Sequence, residues 1–243
     1  MLPAPGGYRG RATFLPEYIR RAIKYPQMDL EYTFWQMVTL CIDPKKVYKH
    51  TTWHKQTKNQ WARDDPAFTV LCVGFLLVAA IAYSIAFQIT NPWTFLRVVL
   101  GTVLFDFVFI GTMLATCTWV IANKYLRVHS SRDVEQEVEW MYSFDVHCNS
   151  FFPLFLILYV LQFFLLPLLM QKGFLATFAS NTLFLLAIAY YHYITFLGYQ
   201  ALPFLTNSIY FLYPCGAYTA LYLVSLPLGI NCSQLALSLY FAQ

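Results

Sequence analysis

The sequence predicts an all-α integral membrane protein with five transmembrane helices and a cytosolic, amphipathic collar of N-terminal interfacial helices. Three observations predict this class. Of 243 residues, 58% are hydrophobic and only 12% are charged, whereas ordinary soluble domains have about 25% charged residues. Five segments approach the length of about 20 apolar residues that crosses a bilayer. The charges are also crowded at the N-terminus, since Lys172 is the only charged side chain after Asp145.

The N-terminal region, residues 1–66, contains eleven Lys or Arg and six Asp or Glu. Residues 27–42 are apolar but short, and Asp29 and Glu31 interrupt them. We therefore expect this segment to lie in the membrane interface or beneath the bundle, because a crossing needs about 20 apolar residues. Proline is favoured at the first position of a helix, so Pro44 predicts the start of a second short helix.

The predicted membrane domain covers residues 67–230. Its spans are residues 67–90, 98–122, 150–170, 174–198 and 208–230. The connections 91–93 and 171–173 are too short for anything but a turn, so each joins an antiparallel pair. Residues 123–149 form a predicted cytosolic loop, in which Glu135 and Glu139 share one face of a short amphipathic helix. Residues 231–243 are a predicted short lumenal tail.

The distribution of basic residues predicts the orientation. With the N-terminus in the cytosol, fourteen of the sixteen Lys and Arg lie on the cytosolic side, and only Arg97 and Lys172 lie on the other. Basic residues are enriched on the cytosolic side of membrane proteins. This orientation places the C-terminus in the lumen. The Asn231-Cys-Ser motif then lies too close to the last span for glycosylation, and we interpret it as a coincidence.

A basic and acidic stretch leads into the first span. Asp64 and Asp65 stand before Pro66, where carboxylates stabilise a helix N-terminus. One interpretation is a well-capped helix with an interfacial anchor. The other is a surface that binds a cytosolic partner or lipid headgroups. The residues assigned to that surface are Lys55, Lys58, Trp61, Arg63, Asp64, Asp65, Asp145 and His147. On the second interpretation, charge reversal at its basic residues releases the partner and leaves the fold intact.

Asp145 and His147 form an Asp-x-His pair beside the predicted third span. Together with nearby carboxylates they resemble the ingredients of a metal or acid–base site. However, the pair lacks the i,i+4 spacing of a zinc-binding helix, and no nucleophile stands out. The six cysteines show no pairing pattern either. The sequence therefore predicts no catalytic residues, metal, cofactor or disulfide.

A polar layer is predicted inside the bundle. Polar and ionisable groups within spans are costly and usually face the protein interior. At 1.5 Å per residue, four such groups lie about 12–13 Å from the lumenal boundary. They are Asp106, Gln162, Asn181 and Tyr222. This layer is either a hydrogen-bonded knot between helices or a lipid or ion site.

Several motifs together resemble the uncoordinated-fifty family of eukaryotic membrane proteins. The resemblance extends from about residue 25 to residue 215. The motifs are QMD at 27–29, WQM at 35–37, KQTK at 55–58, QWARDDPAF at 60–68, NKYL at 123–126, SRD at 131–133, VEW at 138–140, FDVH at 144–147, NTL at 181–183, TFLGY at 195–199, ALPFL at 201–205 and YP at 213–214.

This resemblance implies a multi-span protein of the Golgi membrane and of the nuclear inner membrane. It also implies a role in the traffic and surface delivery of assembled receptors, such as nicotinic receptors, and in the recruitment of Arf exchange factors. The expected partners are membrane lipids and a cytosolic exchange factor or receptor cargo. RNA binding is also attributed to the family, and no catalytic residues are. Two alternatives remain: a membrane-embedded lipid-handling protein or enzyme, and an RNA-binding nuclear-envelope protein.

Overall fold

The computed structural model describes residues 28–58, 60–128 and 136–241. These residues form helices and their connections, apart from one antiparallel bridge between Arg127 and Leu205. The predicted all-α class is therefore confirmed. Of the predicted N-terminal region, residues 1–27 lie outside the described residues.

Two short helices precede the bundle, as the sequence predicts. Helix α1 covers Leu30–Ile42, and the Asp29 carboxylate caps it by accepting the Tyr32 amide at 3.0 Å. Helix α2 covers Pro44–Lys58 and begins at the predicted proline. With 13 residues, α1 is roughly 20 Å long, which is shorter than the hydrocarbon core of about 30 Å.

Four helices are long and apolar enough to cross a membrane among the residues described. They are α3 (Ala67–Ala86), α4 (Pro92–Leu126), α5 (Trp140–Leu169) and α6 (Phe174–Gln200). The predicted short connections are present: Asn91 caps α4 by accepting the Trp93 amide at 2.9 Å, and Gly173 adopts a φ of 125° before α6. The predicted count of five spans is not confirmed.

Helices α4 and α5 are longer than their predicted spans. Helix α4 has 35 residues and is thus roughly 50 Å long, so it tilts or extends beyond the hydrocarbon core. Helix α5 begins ten residues before the predicted span at 150. Its first turns are polar in sequence, but Asn149 and Ser150 are buried by the surrounding helices. Residues 136–139, which the sequence placed in an amphipathic helix, are not helical, and 129–135 lie outside the described residues.

Three π-helical segments interrupt the long helices. They are Gly101–Phe109 and Ala122–Leu126 in α4, and Leu156–Leu161 in α5. Short π-helical segments are rare, and they frequently occur at functional sites.

The core is continuous from the N-terminal helices into the bundle. Met37 of α1, Leu76 of α3, Phe107 of α4 and Ile194 of α6 are all at most 1% exposed and belong to one cluster. The N-terminal helices therefore pack onto the bundle and do not form a separate domain.

The structure differs from the sequence prediction at the C-terminus. The predicted fifth span, 208–230, is a 3₁₀ helix at Ser208–Leu212 followed by helix α7, Tyr213–Ser225, of 13 residues. The predicted lumenal tail is helix α8, Cys232–Phe241, which packs against α4, α5 and α6. A turn in which Gly229 has a φ of 67° reverses the chain between these two helices.

Asn231 fixes this reversal. Its side-chain oxygen Oδ1 accepts the Gln234 amide at 3.0 Å, and its side-chain NH₂ donates to the Leu169 carbonyl at 2.8 Å. The side chain is thus a helix N-cap that also ties α8 to the end of α5. The hydropathy pattern is apolar from 208 to 230, so it predicts one span that ends at this turn and a tail after it, whereas the structure has a shorter helix, the turn and a second helix.

Candidate functional site

The junction, residues 60–67, connects α2 to the first long helix. The Glu139 carboxylate accepts the backbone amides of Trp61 and Ala62 at 3.3 and 3.2 Å, and the Asp145 carboxylate accepts the Arg63 amide at 2.6 Å. Acceptors from the start of α5 and the residue before it thus satisfy three successive backbone donors. Charge-assisted hydrogen bonds of this kind are stronger than neutral ones, so the junction has a fixed conformation.

The Arg63 side chain points into the protein and joins three helices. Its guanidinium lies 3.6 Å from the Asp145 carboxylate, donates to Asn149 Oδ1 at 2.7 Å, and donates to Gln36 Oε1 of α1 at 3.3 Å. It also lies 4.3 Å from the centre of the Phe68 ring. The side chain is 19% exposed and Asp145 only 7%. Arg63 therefore holds the N-terminal helices onto the bundle.

Trp61 and Asp65 are also structural. Trp61 is 5% exposed and packs against the rings of Tyr142 and Phe204. Asp65 accepts the Ala67 amide at 2.9 Å, which is the capping role that the sequence predicts for the acidic pair, and it also accepts the Asp29 amide at 2.7 Å.

Tyr48 of α2 completes the attachment of this helix. It is 4% exposed, and its hydroxyl accepts the Asn149 side-chain NH₂ at 3.5 Å. Burial raises the pKa of the Tyr48 phenol above its ordinary value, because the ionised form would lose its hydration, and the Asn149 hydrogen bond and the Arg63 charge act in the opposite direction. The phenol therefore stays neutral and serves as a hydrogen-bonding group.

Asp145 and His147, the predicted Asp-x-His pair, point in different directions. Asp145 faces Arg63, whereas the His147 Nδ1 lies 2.9 Å from the Tyr191 hydroxyl. The His147 ring also packs on Gly111 of α4, where a β-carbon would come within 2.2 Å of Nε2. Residues two apart on a helix do not face each other. The two side chains thus do not form one site.

The predicted partner surface is divided by this arrangement. Trp61, Asp145 and His147 are buried, and Arg63 is bonded internally, so these four are not presented to a partner. The remaining members lie nearer the surface: Lys55 Nζ lies 5.6 Å from the centre of the Trp61 ring, and Asp64 accepts a hydrogen bond from Gln60. The Lys58 side chain lies outside the described residues.

A basic groove lies on α2 instead. Lys46, Lys49, His50 and Trp53 line a groove of about 240 Å³, and Trp53 is 74% exposed. The groove rests on α1, because the Trp35 ring lies 4.9 Å from the His50 ring and 5.6 Å from Lys46 Nζ. The groove thus presents two lysines and an aromatic ring on the outside of the protein.

The four residues of the predicted polar layer lie in separate hydrogen-bonded groups. Asp106 accepts the hydroxyls of Tyr159 and Tyr240 at 2.9 and 2.6 Å. Gln162 accepts the Ser233 hydroxyl at 3.2 Å. Among the hydrogen bonds of the described residues, none joins two of the four predicted side chains.

The other two members, Asn181 and Tyr222, connect α6 to the C-terminal helices. Asn181 donates to the Ser225 hydroxyl and to the Ile230 carbonyl, both at 2.8 Å, and accepts the Cys232 amide at 2.9 Å. Tyr222 lies 3.2 Å from the Thr182 hydroxyl. Asn181 therefore holds the turn between α7 and α8, whereas Asp106 and Gln162 line a common cavity.

Comparison with known proteins decides the family. The model of the UNC-50 family matches residues 18–241. The chain belongs to the UNC-50 family. It is 52% identical to the protein unc-50 homolog of Dictyostelium discoideum over 228 residues, which cover 93% of this chain and 87% of that one.

Vertebrate relatives match over similar lengths. The protein unc-50 homolog of Homo sapiens is 44% identical over 225 residues, covering 92% of this chain and 86% of its own. The protein unc-50 homolog A of Xenopus laevis is 44% identical over 219 residues, covering 90% and 83%. No solved structure matches the chain.

In this UNC-50 chain, four of the motifs that suggested the family meet at the junction. Residues 60–68, 138–140 and 144–147 are far apart in sequence, and the bonds of Glu139, Asp145 and Arg63 bring them together. The motif at 123–126 joins them, because the Asn123 side chain bonds both the amide and the carbonyl of Val138 at 2.9 and 3.0 Å. These four motifs therefore belong to one set of tertiary contacts, which hold the junction against α4 and α5.

Sequence reasoning missed Tyr159 and Tyr240, the two partners of Asp106 in this UNC-50 protein. Tyr159 lies in the middle of an apolar span, where the rule that identified Asp106 applies equally to a phenol. Tyr240 lies in a segment too short to span a bilayer, and it was assigned to the lumenal tail. Only the reversal at Gly229 brings it beside the carboxylate.

Proposed function

We propose that this UNC-50 protein is a non-enzymatic trafficking factor of the Golgi membrane. It supports the transport and surface delivery of assembled receptors of the nicotinic type and recruits Arf exchange factors. The partner is a cytosolic protein segment with acidic and apolar side chains, and it binds the basic groove of α2.

The groove is the observation that carries this proposal. Lys46 and Lys49 are exposed beside the exposed ring of Trp53. Lysines steer an acidic partner to a surface, and a tryptophan that becomes buried on binding is a frequent source of affinity. The junction and the Arg63 bonds hold this surface in place on the bundle, so its binding does not require the ordering of a loose segment.

The proposed orientation has the N-terminus in the cytosol. The basic residues of α2 lie at the same end of the bundle as Arg127. The junction that follows α2 contacts Glu139, at the start of α5, and the Val128 amide, just after Arg127, donates to the Phe204 carbonyl, just after the end of α6. Arg97 and Lys172 lie near the turns at the opposite ends of these helices. An excess of basic residues on one side supports a cytosolic location for that side.

A charge reversal in the groove tests the proposal. In cells that lack the endogenous protein, the double variant Lys46→Glu and Lys49→Glu should reach the Golgi at normal abundance. Recruitment of the exchange factor to the Golgi should fall by roughly tenfold, or about 1.4 kcal/mol of binding free energy. Surface levels of an assembled nicotinic receptor should fall with it.

The matched control is Lys172→Glu, an exposed lysine at the other end of the bundle, which should leave both measurements unchanged. Arg63 is not suitable for this test because its guanidinium holds the fold together. Normal recruitment and normal receptor delivery by the double variant would contradict the proposal.

A further inference from the structure

A cavity with a few polar groups lies in the bundle and is lined by α3, α4, α5, α6 and α8. Its volume is about 340 Å³, within the range of small-molecule sites. Most of its wall is apolar, and its polar groups include Tyr83, Asp106, Tyr159, Gln162 and Tyr240. These groups come from four helices, so the cavity exists only in the folded bundle.

Asp106 is held by two phenols. Tyr159 donates to one carboxylate oxygen and Tyr240 to the other, at 2.9 and 2.6 Å. Asp106 and Tyr159 both lie in π-helical segments, which are often functional. Gly101 makes room for the Tyr240 ring, because a β-carbon there would come within 2.7 Å of a ring carbon. Both carboxylate oxygens therefore have a hydrogen-bond donor.

Among the described residues, the Tyr83 hydroxyl makes no hydrogen bond of normal geometry, although it interacts with the Gln162 side chain. The side chain is 4% exposed and lines the cavity beside Gln162. A buried polar group without a partner costs about 1–3 kcal/mol, and hydrocarbon offers none. The hydroxyl and the Gln162 amide thus form a place where a further hydrogen-bonding group is favourable.

The rim of the cavity includes exposed apolar side chains. Phe105 of α4 and Leu239 of α8 both line the cavity and are 54% and 67% exposed. In a membrane-spanning bundle, such side chains contact the acyl chains. The cavity is therefore open toward the hydrocarbon beside Phe105 and Leu239, where the apolar body of a ligand would contact this rim.

The charge at the site selects the ligand. A phosphate would bring a second negative charge beside Asp106 and would have to leave the headgroup region, which is costly. A cation is not required, because each carboxylate oxygen already accepts a hydrogen bond from a phenol. A neutral hydroxyl both donates and accepts, and it matches the Tyr83 hydroxyl and the Gln162 amide.

We propose that this cavity binds the hydroxyl end of a neutral lipid, either a sterol or a diacylglycerol. The hydroxyl bonds Tyr83 and Gln162, and the apolar body lies along Phe105 and Leu239. This site is independent of the α2 groove, so its failure would leave the proposed trafficking role intact.

Photo-crosslinking of the purified full-length protein tests the proposal. The protein is reconstituted in phosphatidylcholine nanodiscs with a diazirine-bearing cholesterol analogue, a diazirine-bearing diacylglycerol, or a diazirine-bearing phosphatidylserine. Labelled peptides are identified by mass spectrometry, and unlabelled lipid is added as a competitor. The variants are Tyr83→Phe, which removes only the hydroxyl, and Ala236→Phe, which fills the cavity wall.

A neighbouring cavity provides the matched control. It has a volume of about 370 Å³, shares Tyr83 and Tyr159 with the first, and includes Ala82 in its wall. Ala82→Phe should therefore leave labelling at the proposed site unchanged, whereas Ala236→Phe should abolish it. Tyr83→Phe should weaken competition about fivefold, the effect of losing one hydrogen bond.

Saturable labelling of α4 or α8 by one of the two neutral probes is expected, and the probe that labels identifies the lipid. Two results would overturn the proposal: no saturable labelling of the wild-type protein by either neutral probe, or equal labelling by phosphatidylserine. If Ala236→Phe fails to fold, as judged by size-exclusion chromatography, the proposal is tested by competition with unlabelled lipid in Tyr83→Phe. Competition equal to that of the wild-type protein would then contradict the proposed site.

Discussion

Replacing Arg63 by leucine should weaken the packing of the N-terminal helices α1 and α2 against the bundle. The guanidinium contacts the Asp145 carboxylate at 3.6 Å and the Asn149 and Gln36 side-chain oxygens at 2.7 and 3.3 Å. Leucine keeps much of the apolar contact with Phe68 but removes every side-chain donor, and only the backbone amide of residue 63 still donates to Asp145. The Asp145 carboxylate, 7% exposed, then loses its only described cationic partner.

The expected loss of unfolding free energy follows from the burial of Asp145, which stays in the protein without its guanidinium partner. Removing one member of a buried ion pair costs about 3–5 kcal/mol. Asp145→Asn should cost less, about 1–2 kcal/mol, because the amide oxygen still accepts the Arg63 backbone amide and because Arg63, 19% exposed, is nearer to water. The double variant should be less destabilised than the sum by about 1–3 kcal/mol, since the two side chains are in contact.

The assay is reversible unfolding in mixed micelles, followed by the fluorescence of the six tryptophans, of which Trp61 is buried at the junction. Lys45→Leu is the matched control, because this lysine is exposed on α2, and it should change the free energy of unfolding by less than about 0.5 kcal/mol. The reasoning is refuted if Arg63→Leu behaves like this control. Additive effects of the two single variants would refute the pairing of Arg63 with Asp145.

Two further predictions concern the bundle. Gly111→Ala should destabilise the protein by about 1–3 kcal/mol in a thermal unfolding assay, because its β-carbon would lie 2.2 Å from the His147 ring. Gly216→Ala, with nothing within 4 Å, should not destabilise it, and equal effects would contradict this argument. Asp106→Asn should be nearly silent in the same assay, since an amide can bond both phenols, whereas Asp106→Leu should cost about 2–4 kcal/mol because two partly buried hydroxyls lose their acceptor. Equal stability of these two variants would show that the hydrogen bonds of the Asp106 carboxylate do not stabilise the fold.

The helices and their approximate positions were predictable from the sequence because they depend on local rules. Apolar length predicted the four long helices. Pro44 and Asp65 predicted helix starts, because a proline or a carboxylate at that position acts through its own neighbouring backbone. The family could be suggested in the same way, from short strings of residues.

The candidate sites could be predicted only in part. Asp106 was identified because an ionisable group within a span is costly wherever it lies. The inward direction of Arg63 was not identified, because a basic residue beside a span is typical of a headgroup anchor. Its partners Gln36 and Asn149 are 27 and 86 residues away, and no spacing rule connects them.

The sequence by itself determined that this protein is an all-helical membrane protein and where most helices begin, because hydropathy and capping act over a few residues. Tertiary structure alone decided which polar groups are internal. Asp145 and His147 are buried because the junction supplies Arg63 and α6 supplies Tyr191. Helix α8 returns to the bundle because Asn181 and Asn231 hold the turn, a reversal that continuous hydropathy cannot show, since it measures transfer from water and not the direction of the chain.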